Sequence, residues 1–218
     1  MQEDSVLLID KPSGMTSFGV VARVRRKLSQ QLGKKARVGH TGTLDPFATG
    51  LMIIVTGKEC RNAGTYSKLD KVYEATIRLG QTSSTGDPEG ELTEVSDVVP
   101  ILDEVKAVLG QFVGEIQQTP PIYSAIKING QRAYKLARKG ETVEMPVRTV
   151  TIFGLDLIDY IYPEVKIRVH VSSGTYIRTL AEDLGKVLGT GAYCTQLRRT
   201  KIADFSIDDS VLLDPDQY

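Results

Sequence analysis

Three features of the sequence predict an α+β fold with a mixed, largely antiparallel β-sheet and flanking helices. Apolar and polar residues alternate at the strand period over 73–79 and 165–171, other segments repeat apolar residues at helical spacing, and strands and helices intersperse without a repeated βαβ unit. The elements follow in chain order. Val6 to Ile9 reads as a short buried strand, and Thr16 or Ser17 then caps a helix running to about Gln30. In that helix Val20, Val24 and Leu28 share one face while Arg23, Arg26 and Lys27 fall on the other. Leu51 to Val55 is a continuous apolar run, too short for a helix and suited to a central strand. Tyr73, Ala75, Ile77 and Leu79 alternate with Glu74, Thr76 and Arg78, the pattern of a half-buried strand. Pro100 to Leu109 predicts a helix stopped by Gly110, and Gln131 to Lys139 another stopped by Gly140. Val165, Ile167, Val169 and Val171 alternate with Lys166, Arg168 and His170, a strand with one apolar and one basic face. Ser172-Ser173-Gly174-Thr175 then turns into a helix whose stripe is Ile177, Leu180, Ala181 and Leu184, with Arg178 off that stripe.

The 218 residues, 41% of them hydrophobic, fit one large domain with a sizeable core. There is no signal-peptide pattern and no apolar run near the roughly 20 residues that span a bilayer, so a soluble, cytoplasmic protein is expected. Cys60 and Cys194 are too few and too far apart for a disulfide framework, which suits a reducing compartment. Formal net charge is zero, which argues against a simple nucleic-acid coating protein. The charges are nevertheless segregated. From Lys11 to Arg37 the chain carries Arg23, Arg25, Arg26, Lys27, Lys34 and Lys35 without one carboxylate, whereas acidic residues crowd 87–104 and 204–216. A basic lobe facing a polyanion and a merely solvated helix face are both consistent with this.

The stretch "VGHTGTLDPFATGLMIIVTG", residues 38–57, is the most unusual. Its glycines invite a phosphate-loop reading, but no Lys-Ser or Lys-Thr follows them. Two histidines and two separated cysteines cannot supply the ligand pattern of a zinc deaminase, no Gly-x-Ser-x-Gly elbow is present, and no metal-ligand spacing appears. Taken alone, Leu44-Asp45-Pro46 is an ordinary turn.

A longer match changes that reading. "LLIDKPSGMTS", "GHTGTLDPFATGLMIIVTG", "KVYEATIRLGQTSSTGD", "QTPPIYSAIKINGQRAYKLARKG", "SSGTYIRTLAEDLG" and "LRRTKI" occur in the order, and at roughly the intervals, of bacterial TruB-type pseudouridine synthases. The resemblance runs from Val6 to about Ile202. It implies the pseudouridine synthase catalytic fold over 1–218, with a thumb-like insertion at about 118–148. Relatives that work with a guide RNA usually continue Gly-Thr-Leu-Asp-Pro with Lys-Val-Thr-Gly, whereas Phe47-Ala48-Thr49-Gly50 resembles the stand-alone bacterial type. Typical bacterial members carry a further C-terminal RNA-binding PUA domain, and none is expected here.

The resemblance implies isomerisation of uridine 55 in the T-loop of tRNA. That reaction exchanges the N1–C1′ bond for C5–C1′ with no redox change and no group lost, so no cofactor and no metal are expected. The reacting carboxylate would be Asp45, adding to C1′, adding to C6 or abstracting a sugar proton. Arg178 would keep that carboxylate charged through a two-bond grip, although helix spacing also allows a pair with Glu182 worth about 0.2–0.5 kcal/mol. Tyr73 would stack on the extruded base, a contact worth about 1–3 kcal/mol, or else be plain core. Tyr176 and Leu197 match substrate-contacting positions, and His40 the residue that fills the gap left by the flipped base. Lys11 would approach the active site or a phosphate, and His170 has no assigned role. The expected partner is the tRNA T-arm stem-loop, met by a monomer with no guide RNA and no membrane. A non-catalytic tRNA-binding or folding protein is the competing function, and Asp45 separates the two because binding alone does not require a carboxylate.

Overall fold

Short runs of β-branched and aromatic residues, punctuated by glycine, form most of the secondary structure in the computed structural model, which describes residues 3–124, 126–128, 130–137 and 143–212. In chain order these are β1 (Val6–Lys11), α1 (Ser17–Leu32), β2 (Val38–His40), β3 (Thr49–Thr56), α2 (Ala63–Ser67), β4 (Lys71–Leu79), β5 (Gln81–Ser83) and β6 (Leu92–Glu94). There follow α3 (Leu102–Gln111), β7 (Gly114–Gln118), β8 (Lys127–Ile128), β9 (Gln131–Arg132), α4 (Ala133–Ala137), β10 (Arg148–Ile161) and β11 (Glu164–Val171). The last are α5 (Ile177–Leu188), β12 (Ala192–Ile202), β13 (Phe205–Ser206) and β14 (Val211–Leu212). No helix among the described residues is long and apolar enough to cross a membrane.

The strands predicted around 6–9, 51–55, 73–79 and 165–171 are present, as are the first helix and the one carrying Arg178. Thr16 is the N-cap of α1, its hydroxyl accepting the Gly19 N–H at 3.0 Å, which typically stabilises a helix by about 1 kcal/mol. Two predicted helices differ. α3 begins at Leu102 because the Glu104 carboxylate accepts the Ile101 N–H at 2.8 Å and fixes the first turn there. It also runs through Gly110 to Gln111, since glycine permits a left-handed stop without imposing one. The helix predicted over 131–139 starts only at Ala133, because Gln131 and Arg132 pair with Ile128 and Lys127 in a hairpin. Its predicted end at Lys139 and Gly140 lies outside the described residues.

The chain divides into two compact units, Met1–Tyr73 with Arg198–Tyr218, and Glu74–Leu197. The first is organised on β3. Antiparallel β1 covers one edge of it from Lys11↔Gly50 to Val6↔Val55. The opposite edge is shared, with β2 paired at Thr56, Val55 and Ile54 and parallel β12 at Thr49 and Gly50. β14 extends the sheet beyond β1, and β13 pairs with β12. Leu51, Ile53 and Val55 form a buried cluster with Ile202, flanked by Val6, Leu8, Tyr66 and Phe205. α1 packs on β2 and buries Val20, Val24 and Leu28 completely, each worth about 1.5–3 kcal/mol by removal from water.

In the second unit the strand order is β12-β4-β11-β10-β7. Val165, Ile167, Val169 and Val171 are fully buried, while Lys166 and Arg168 point outward and Arg168 binds Glu74 at 2.8 Å. β10 pairs antiparallel with both β11 and β7, with two register shifts against β11. α3 packs on α5 and on β10.

Gly50 is a point where no side chain fits. Its φ is +108°, and a Cβ there would lie 2.3 Å from the Arg199 carbonyl oxygen. Gly50→Ala should therefore lower stability by at least about 2 kcal/mol, read as a reduced urea midpoint, because backbone strain and a backbone clash add.

Candidate active site

Asp45 lies in the loop between β2 and β3, half-buried, in a turn closed by the Ala48 N–H on the Asp45 carbonyl at 3.2 Å. The segment joining β1 to α1 clamps this loop on both sides of Asp45. Ser17 is buried and reads both main-chain groups of Leu44: its Oγ accepts the N–H and donates to the carbonyl, each at 2.8 Å. After Asp45, the Pro46 carbonyl accepts the Gly14 N–H at 2.8 Å and the Lys11 ammonium at 3.2 Å. Ser13 donates to the Phe47 carbonyl at 3.1 Å.

Lys11 is 0% exposed, and its Nζ also donates to the carbonyls of Pro12 at 2.9 Å and Met15 at 2.7 Å. The side chain thus turns inward, toward the Asp45 loop, rather than out into solvent. Burial of an ammonium is tolerated here because carbonyl dipoles converge on it. Arg199 completes the frame from β12. At 1% exposure it donates from Nε to the Leu51 carbonyl at 2.7 Å and from Nη2 to the Gly42 carbonyl at 3.2 Å. Lys11, Gly50 and Arg199 stand in register across β1, β3 and β12, so two buried cations flank the glycine where the Asp45 loop enters the sheet.

The second unit carries Arg178, Tyr176 and Leu197. Arg178 is off the apolar stripe of α5, as predicted, yet only 3% exposed. Its Nη1 donates to the Thr85 carbonyl at 2.7 Å and to the Asp87 carboxylate at 3.1 Å, and its Nη2 to the Tyr123 carbonyl at 2.8 Å. Asp87 is held in turn by the Thr85 hydroxyl at 2.6 Å and the Glu89 N–H at 3.0 Å. Glu182, one turn along α5, has its carboxyl pushed up by burial. Gln118, from the end of β7, reads Tyr176 as Ser17 reads Leu44. Its Oε1 accepts the Tyr176 N–H at 2.7 Å and its Nε2 donates to the Tyr176 carbonyl at 3.0 Å, fixing the residue that starts α5. The Tyr176 side chain packs beside Ile126, Ala133 and Met145.

Tyr73, in the first unit, is 8% exposed, and Leu197 is buried to the same degree. His40 ends β2 opposite Ile54, half-buried. Thus Lys11 and Asp45 come together through the Pro46 carbonyl, with His40 and Tyr73 in the same unit, while Arg178 and Tyr176 start one helix. His170 lies against Phe153, ring centroids 4.9 Å apart. Sequence reasoning missed Ser17 as a clamp, and also Asp87, Gln118 and Arg199. Each sits inside a block quoted for the family resemblance, which was the available signal. No group of three or more metal-ligating residues occurs among the described residues.

Comparison with known proteins bears on what this geometry serves. Residues 25–177 match the model of the N-terminal domain of TruB family pseudouridylate synthase, and residues 178–215 that of the C-terminal domain of tRNA pseudouridylate synthase B. The chain belongs to the TruB family of pseudouridylate synthases. Within that family it is 46% identical over 211 residues to tRNA pseudouridine synthase B of Burkholderia mallei, covering 97% of this chain and 68% of that protein. It is likewise 46% identical over 210 residues to the protein of the same name from Phocaeicola vulgatus, covering 95% of this chain and 89% of the relative. A chain in the crystal structure of a Cbf5–Nop10–Gar1 complex superposes with a TM-score of 0.74 at 30% identity over 97% of this chain. The present chain spans about half, 53%, of that one. These neighbours share the TruB-family fold, with its mixed, largely antiparallel sheet and few helices.

Two outcomes follow from the buried charges. Asp87→Ala would strand the Arg178 guanidinium, and loss of one partner of a buried pair typically costs about 3–5 kcal/mol, measurable by urea unfolding. Lys71 donates to the carbonyls of Ser67 and Leu69, and burial, aided by the nearby Arg199 charge, pushes its ammonium down to about 8. Between about 8 and its usual value of 10.5 the unfolded chain keeps a proton that the folded protein has released, so stability gains as pH rises through that window. Lys71→Met lacks this term. From pH 8 to 10.5 the parent should gain up to roughly 3 kcal/mol relative to the variant in matched urea titrations.

Proposed function

We propose that this chain isomerises uridine to pseudouridine at position 55 in the T-loop of tRNA, turning the base out of its stack and using Asp45 to exchange the glycosidic bond. The observation that carries this reading is the clamped Asp45 loop. The bonds from Ser17, Gly14, Lys11 and Ser13 all act on main-chain atoms of Leu44, Pro46 and Phe47, so the loop that carries the carboxylate is positioned through its backbone on both sides of Asp45. Membership of the family and the names of its bacterial relatives support tRNA as the substrate.

Extruding the uridine costs a few kcal/mol of lost stacking, and Tyr73 offers an aromatic face to offset it, with His40 filling the gap left in the RNA loop. The Asp45 carboxylate then assists departure of N1 from C1′, by addition to C1′, by addition to C6 or by removal of a sugar proton. The base turns, C5 bonds to C1′, and the proton on C5 leaves. Such chemistry needs a cation of fixed orientation to keep a desolvated carboxylate charged. Arg178 is proposed for it, its fork pre-oriented by Asp87 and by the carbonyls of Thr85 and Tyr123. Tyr176 and Leu197 complete the proposed substrate contacts.

Because C5 must lose its hydrogen, tRNA tritiated at C5 of its uridines should release label into water as the enzyme turns over. Asp45→Asn should abolish release while tRNA affinity stays within about threefold of the parent, since the amide keeps the shape and loses the charge. Release by the variant at more than a trace would remove Asp45 from the reaction. A parent that binds tRNA and releases no label would be a binding protein instead.

A further inference from the structure

At the end of β3 opposite the Asp45 loop, the first unit has a hollow of about 350 Å³. Lys34, Lys35, Arg37, Lys58 and Arg61 line it against only two carboxylates, those of Glu3 and Asp4, over an apolar floor of Leu28 and Ala36. We propose that this hollow docks the phosphate backbone of the RNA substrate away from the reacting nucleotide, an inference that rests on the tRNA reading above.

Hydrogen bonds fix the course of the backbone that carries these cations. Gly33 closes α1 in the left-handed region at φ +63°, Ser29 accepts the Ala36 N–H at 2.9 Å, and the Arg37 carbonyl accepts the Gly57 N–H at 2.9 Å. The two carboxylates are already engaged. Glu3 binds Lys34 at 2.7 Å, and Asp4 takes the Lys58 N–H at 2.7 Å with the Lys58 ammonium at 3.6 Å. Lys35, Arg37 and Arg61 are exposed and have no ion pair among the described residues, so a net positive field faces outward. The form of the site selects the ligand. Several solvated cations spread over an open concavity gain little from one small anion, but they sum when anions repeat along a polymer and release counterions together. The eight residues of β3 separate hollow and loop by a strand length of roughly 23 Å, so the contact would fall on RNA beyond the reacting nucleotide.

The test is a salt series of tRNA binding by the full chain, comparing the parent with Lys35→Gln/Arg37→Gln/Arg61→Gln and with Arg37→Glu alone. All three positions are exposed, and an unchanged thermal midpoint verifies folding. The triple variant should bind about tenfold or more weakly at low salt, and its log–log salt slope should be smaller by about two; Arg37→Glu should move both in the same direction. Parental affinity and slope in both variants would overturn the proposal. If the parent nevertheless releases tritium from tRNA, only the hollow is refuted; a parent that binds no tRNA refutes both readings. Inorganic phosphate, titrated at constant ionic strength, should leave the parent's thermal midpoint unmoved. A saturable rise absent from the triple variant would assign the hollow to free phosphate and overturn the RNA assignment.

Discussion

Two cations buried in the first unit, Lys11 and Arg199, hold the main chain around Asp45 in place by donating to carbonyl oxygens. Main-chain carbonyls in a loop need partners, and inside a protein a polar group left without one costs about 1–3 kcal/mol, more than the net contribution of a made bond. Here the partners are charged, which strengthens the bonds, and they come from strands on both sides of β3. The register that aligns Lys11, Gly50 and Arg199 makes this possible, and it requires a glycine at the centre. Beside the row, Arg198 forks onto Asp10 at 2.7 and 3.1 Å, so the mouth of the loop is tied across the strands by charge as well as by the ladder.

The second unit solves the same problem with different groups. A neutral amide, Gln118, fixes Tyr176, and a buried ion pair fixes Arg178. A guanidinium in a nearly dry setting is oriented by the acceptors around it, and three of them, from the 85–87 turn and from Tyr123, take hydrogen bonds from its two Nη atoms. Cys194 adds a further restraint, its N–H bonding the Gly86 carbonyl at 3.1 Å, so β12 steadies the turn that steadies the arginine.

Much of the fold was legible because burial follows period. β11 alternates cleanly and β4 does so except at buried Thr76, the 51–55 run of β3 is apolar and buried, and the apolar stripes of α1 and α5 are all buried. β10 was not legible, since its two register shifts interrupt the alternation and leave Phe153 and Ile158 facing outward. The polar anchors were hidden for a different reason. Lysine, arginine and aspartate are expected at the surface, and only knowledge of which carbonyls converge on them turns Lys11, Arg199, Arg178 and Asp87 into interior residues. These anchors all lie in the blocks of sequence that carry the family resemblance, and hydrogen-bonding geometry shows which of them position the main chain.

The row through Gly50 also sets an order of assembly during synthesis. Glu74–Leu197 is one continuous stretch of chain and has all its residues once position 197 has been translated. The first unit is discontinuous: β1 and β3 emerge early, while Arg199, the β12 partner of Gly50, arrives almost 150 residues after it, and β14 later still. Until then the Leu51 and Gly42 carbonyls lack their guanidinium and one edge of β3 lacks its neighbour, a contact of high sequence separation that forms slowly. The nascent chain can therefore possess Asp45 long before it can hold the loop around it, because the Arg199 bonds to the Leu51 and Gly42 carbonyls form only after β12 has emerged.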